Sequence, residues 1–200
     1  MATAVQQTSA GGWPMAAKGS AILAGGCALL YFWQGAGEEA ARACIRATAL
    51  WSVLYLLAIV PASALHRRYR SPRTRWLMLN RRYLGLQLAA SHALHLAFIL
   101  LLYARGELGE VGVTTLYGGG WGYVLLFAMA LTSNDASLRA LGSAWRQLHR
   151  LGLNTLWVIF TLSYLPQSDS PPTRWVIFLG LLAVMAIRWW PVPKRVPAHS

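Results

Sequence analysis

The sequence predicts an all-α integral membrane bundle of about six transmembrane helices, with both termini in the cytoplasm. Three observations predict it. Of the 200 residues 56% are hydrophobic and only 12% charged, with a mean hydropathy of +0.41, a balance that ordinary soluble domains do not show. The apolar residues gather into six segments, at about 19–34, 45–65, 83–104, 119–133, 149–166 and 175–190. The charges then sort by side. Six crossings put fourteen cations on one face (Lys18, Arg67, Arg68, Arg70, Arg73, Arg75, Arg81, Arg82, Arg139, Arg146, Arg150, Arg188, Lys194, Arg195) and four on the other (Arg42, Arg46, Arg105, Arg174). Glu38, Glu39, Glu107, Glu110 and Asp169 fall on the second face and only Asp135 on the first. An excess of Lys and Arg marks the cytoplasmic side. The net charge of +12 therefore reads as a topology signal, and nucleic acid is excluded as a partner.

The elements follow in order. Residues 1–18 form a cytoplasmic N-terminal segment without a basic n-region, so the first span, 19–34, is expected to stay uncleaved. The second, 45–65, is nearly long enough to cross. The third is secure: Tyr83 to Tyr103 is twenty-one residues, roughly 30 Å of helix, the thickness of a hydrocarbon core. The fourth opens on Gly118, Gly119, Gly120 and Gly122, a flexible helix entrance; no strand precedes them, so they are not a phosphate loop. Before the fifth span, TSNDASLRALGSAWRQLHRL offers a cap at Ser133 or Asn134. It then sets Leu138, Leu141, Trp145 and Leu148 at steps of three and four. One amphipathic helix running into span five is predicted, with His149 on the side of Leu138 and Arg139 and Arg146 pointing elsewhere. Pro191, Pro193 and Pro197 end the sixth span and leave 191–200 as a basic tail. The bundle domain is thus 19–190. Tyr31, Trp33, Trp121, Tyr123 and Trp175 mark the outer boundary, and Tyr69, Trp76, Tyr83, Trp145, Trp189 and Trp190 the inner one.

Function enters through histidine. His92 and His95 lie inside the third span, where an ionisable group is costly and by default functional. At i and i+3 they share nearly one helix face, which suits a pocket wall or a metal-centred cofactor. With His149 at the edge of span five, a haem is the first candidate. The plain alternative for His95 is a packed histidine hydrogen-bonded between helices. His66, beside the arginine cluster, and His199, in the tail, read as solvated. That cluster reads first as a topology determinant in contact with lipid headgroups. Cys27 and Cys44 have no CxxC spacing and read as buried structural thiols.

The order RRYLGL, then Leu94–His95, then TS, a short linker, LG, W and LHRL resembles the ferric-reductase-like transmembrane family. Within it, the sequence is most similar to the haem-binding membrane subunits of bacterial periplasmic methionine sulfoxide reductase systems. The similarity runs from about Ala47 to Tyr164. It implies a six-helix bundle of the bacterial inner membrane that binds haem b between spans three and five and moves electrons across the membrane. His95 matches the family's histidine of span three, and His149 the first histidine of span five. The second histidine of span five, about thirteen residues on, is replaced by Leu162 here. His95 lies about 20 Å along its helix from Arg82, whereas His149 is at the inner boundary, so these two cannot clamp one iron from straight helices. Arg81 and Arg82, level with His149, are placed to hold haem propionates.

No GxGxxG follows a strand and no P-loop is present, so no flavin or nicotinamide domain is expected. Electrons would come from a separate donor, a flavoprotein or quinol, and pass to an acceptor protein. Two other readings stand beside this one. A haem-less family descendant would act as a scaffold or assembly subunit of a larger membrane complex. A small transporter would line its path with His92 and His95, but the sequence lacks a pair of broken helices.

Overall fold

The computed structural model describes residues 11–191, and every element within them is helical: α1 (Trp13–Trp33), α2 (Glu38–Ile59), α3 (Ala62–Tyr69), α4 (Pro72–Ala104), α5 (Val113–Leu131), α6 (Asp135–Leu141), α7 (Ser143–Ser163) and α8 (Pro172–Trp189). His199 and most of the basic tail lie outside the described residues, as do residues 1–10. Each of the six predicted apolar segments has its counterpart in one of the long helices. Four helices have both the length and the hydropathy to cross a membrane: α1, α2 continued into α3, α4, and α8. The apolar part of α5, Leu116–Leu131, is shorter, and α7 carries Arg146 and Arg150 in its first turns.

Local sequence sets the helix ends. Ser71 caps α4 by accepting from the Thr74 amide at 3.2 Å, and the Thr74 hydroxyl accepts from the Ser71 amide at 3.0 Å. Pro72 fills the first turn, where its missing N–H is no loss. This start, eleven residues before the predicted one, makes α4 about 50 Å long, with its first three turns below the apolar stretch. Asn134 caps α6, its side-chain oxygen accepting from Ser137 at 2.7 Å. Glu38 and Glu39 open α2, where carboxylates complement the helix dipole.

Several boundaries differ from those predicted. Pro61 cannot donate the next backbone bond and divides the second segment into α2 and α3, while Val60 and Pro61 keep right-handed helical backbone, so the two run on as one span. The amphipathic helix before span five is also divided. Gly142, at a φ of +50°, ends α6 and starts α7, a conformation that favours glycine. Leu138 and His149 still share one cleft, but by tertiary packing and not by phase along one helix, and Arg146 lines the same cleft. The glycines 118–122 are inside α5.

The bundle packs as two groups. The most extensive pairing is α2 with α4, and α1 lies across both. The second pairing is α5 with α7, brought close by glycine: a Cβ on Gly122 would sit 2.9 Å from the Ile159 side chain, and one on Gly152 would strike Met129. Leu56, Leu88, Leu126, Leu156, Phe160 and Leu181 form a core that joins the groups. Cys44 and Cys27 are buried and unbonded to each other as a disulfide; the Cys44 thiol donates to the Cys27 carbonyl at 3.3 Å. The outer faces present Leu29, Phe32, Leu116, Val176 and Leu179, the apolar surface of a protein solvated by lipid.

Candidate functional site

The five predicted site residues divide between two places. His92 and His95 sit half-buried in the middle of α4, and His149, Arg81 and Arg82 line a cleft at the basic end of the bundle. From Arg82 to His95 is thirteen residues, about 20 Å of helix, so the two places are separate.

The basic-end cleft has a volume of about 590 Å³, within the range of roughly 300–1,000 Å³ found for small-molecule and cofactor sites. Leu88, Leu126, Leu153 and Leu156 make its floor. Arg67, Arg81, Arg82, Arg146, Arg150 and Arg188 also line it. Among the described residues only Arg82 of these six meets a carboxylate, Asp135, at 2.6 Å. Arg82 also donates to the Ser133 carbonyl at 2.7 Å, and Arg81 donates to the Ser63 hydroxyl at 2.7 Å. His149 stacks on Trp145 with ring centroids 3.9 Å apart. Both rings are tied to Thr132: the Trp145 indole donates to its carbonyl at 2.8 Å, and His149 Nε2 lies 3.2 Å from its hydroxyl. That hydroxyl gives its own proton to the Ala128 carbonyl at 2.7 Å, so it accepts from His149 and leaves the lone pair on Nδ1. The arrangement suits an amphiphilic anion: an apolar body on leucine, acid groups on arginine, and an imidazole at the side.

The outer pair is built differently. His92 and His95 stack on each other with centroids 5.2 Å apart and planes 11° apart. His95 Nδ1 is 3.0 Å from the Ile45 carbonyl and 3.2 Å from the Thr48 hydroxyl. A carbonyl only accepts, so Nδ1 carries the proton. His92 Nδ1 is 2.9 Å from the Ser52 hydroxyl. Ser52 and Ser91 each donate to the Thr48 carbonyl, at 2.8 and 2.9 Å, and Thr48, Ser52 and Ser91 are fully buried. A continuous polar seam therefore runs between α2 and α4.

The free face of His92 is covered. Tyr123 of α5 and Phe160 of α7 lie 5.1 and 5.2 Å from it, centroid to centroid, the separation of aromatic groups in direct contact. Tyr123 is thus an interior residue, not a boundary anchor, and its buried hydroxyl has no hydrogen-bond partner. Leu162, thirteen residues after His149, is 64% exposed and points away from the bundle, whereas Phe160 is 5% exposed. His66 is half-buried, with Nδ1 3.4 Å from the Thr74 hydroxyl.

No protein-family model matches the chain, and no solved structure matches it.

Thr132, Trp145 and Arg188 at the cleft and Thr48, Ser52, Ser91 and Phe160 at the outer pair were not singled out as site residues from the sequence. Phe160 and Trp145 carried a usable signal: Phe160 follows His149 by eleven residues, three turns, and Trp145 precedes it by four, so both share its face.

Proposed function

We propose that this chain is a haem b electron-transfer subunit of the bacterial inner membrane, passing electrons from a separate donor to a partner protein. We further propose six spans with both termini in the cytoplasm, on the strength of the fourteen-to-four division of cations. One observation carries the haem reading: a cleft of about 590 Å³ holds His149 among leucines and arginines at one end of a membrane bundle. Bound there, the haem would supply a one-electron carrier. The chain's own residues would do the rest. His149 would hold the iron, its ring kept in orientation by Thr132 and Trp145. Arg81, with Arg146 and Arg150 beside His149, would neutralise the propionates. The leucine floor would exclude water and keep the dielectric low.

The visible spectrum of protein purified in mild detergent, oxidised and dithionite-reduced, tests the proposal. Haem b bands that disappear in His149→Ala are the expected result; a colourless protein from haem-replete cells would overturn it.

A second reading, the haem-less scaffold of a larger membrane complex, is favoured by the outer site, where Phe160 packs on His92 and, among the described residues, no histidine faces the pair. It predicts co-purification with a larger partner and full assembly of that complex with His149→Ala.

A further inference from the structure

We infer that the outer histidine pair is a closed polar clamp and not a haem position, so that the chain carries a single haem, at its basic end. The inference rests on the haem reading above and departs from the expectation that His95 is a ligand. Two imidazoles that grip one iron must approach it from opposite faces, and His92 and His95 lie on one helix, nearly parallel, with centroids 5.2 Å apart. A partner from another helix would have to come from α7 or α5. There the facing groups are Phe160 and Tyr123, in contact with His92, and neither leaves a gap for a macrocycle. Leu162 points to lipid. On the other side, both imidazoles reach α2: His95 donates to the Ile45 carbonyl, and His92 Nδ1 lies 2.9 Å from the Ser52 hydroxyl. Through these Nδ1 contacts and the ring contacts with Tyr123 and Phe160 the pair ties α2, α4, α5 and α7 together at one depth, and its role is to lock those four helices.

The consequence is directional. From Arg82 at the cleft to Ala104 at the far end of α4 is twenty-two residues, about 33 Å, too far for one carrier to hand an electron across in a single step. A single carrier at the basic end would exchange electrons with both its donor and its acceptor at that end, one electron lost for one gained.

Haem and protein quantified on the same sample, with electron paramagnetic resonance of the oxidised form, decide the matter for wild type, His149→Ala, His95→Ala and His95→Asn. The expected result is one haem per chain and one low- or high-spin species, lost in His149→Ala and retained in both His95 variants. His95→Ala should also lower the melting temperature. His95→Asn, whose side-chain amide can still donate to the Ile45 carbonyl, should restore it, a rescue that an iron ligand would not show. Two haems per chain, or a spectral component lost with His95→Ala and not rescued by asparagine, would overturn the single-haem inference and leave the haem reading standing. A colourless wild type would overturn both.

Discussion

The two ends of the α4–α7 region solve opposite packing problems with the same helices. At the basic end the helices stand apart, and the space between them is lined by six arginines, of which one meets a carboxylate among the described residues. About 15 Å further along α4, His92 touches Phe160 and Tyr123 directly and the space is gone. The difference lies in what satisfies the polar groups. At the outer pair the Nδ1 atoms of both imidazoles reach oxygens on α2 and aromatic rings cover His92, with the Tyr123 hydroxyl left as an unpartnered buried polar atom. At the cleft the guanidinium charge far exceeds the acid available, so the site is electrostatically complete only with an anion or water. Partnered buried polar groups rigidify a core, whereas an open cleft with an excess of one charge favours a ligand of the opposite sign.

This contrast can be broken by substitution. The largest effect is expected for His149→Ala, with loss of the haem bands while size-exclusion behaviour and helical circular dichroism are unchanged. Phe160→Ala should then destabilise the bundle by about 3–5 kcal/mol, the usual cost of deleting a buried aromatic side chain, measured by unfolding in mixed micelles. A cost below 1 kcal/mol would mean that the outer site is not closed. Thr132→Val keeps the side-chain volume but removes the oxygen that holds His149. Haem affinity should fall on the order of 10–100-fold, read by titration of the apoprotein, with little change in stability. Ser91→Ala, which removes the seam's bonds to the Thr48 carbonyl and the Ser52 hydroxyl, should cost only about 0.6–1.7 kcal/mol per bond and leave the spectrum untouched. Asp135→Asn should have the smallest effect. Its pair with Arg82 is 71% exposed on the acid side, and exposed pairs contribute less than about 1 kcal/mol.

Much of the fold was legible because apolar segments and their flanking charges are local properties. The third span, from Tyr83 to Tyr103, needed only its length. The divided helix at Gly142 was not legible from periodicity, because Leu138, Leu141, Trp145 and Leu148 keep helical spacing straight through it. A glycine followed by Ser143 was the available sign. His92, His95 and His149 stood out as ionisable groups in apolar runs. Thr48, Ser52 and Ser91 did not, since serine and threonine in a helix commonly bond to the carbonyl one turn back and reveal nothing of a neighbour until that neighbour is placed. The orientation of Leu162 was readable in principle: thirteen residues after His149 is roughly 220° around a helix, nearly the opposite face.

By itself the sequence determined the helical class, the segments that meet lipid and the side on which positive charge collects, because each depends on the transfer of consecutive residues from water to hydrocarbon. Only the tertiary structure decided that His95 faces Ile45 and His92 faces Phe160, and that six arginines from α3, α4, α7 and α8 converge around His149. Those outcomes depend on which helices are neighbours and how they are rotated, and that is set by the sum of many small contacts, such as Gly122 against Ile159 and Gly152 against Met129, that no single segment contains.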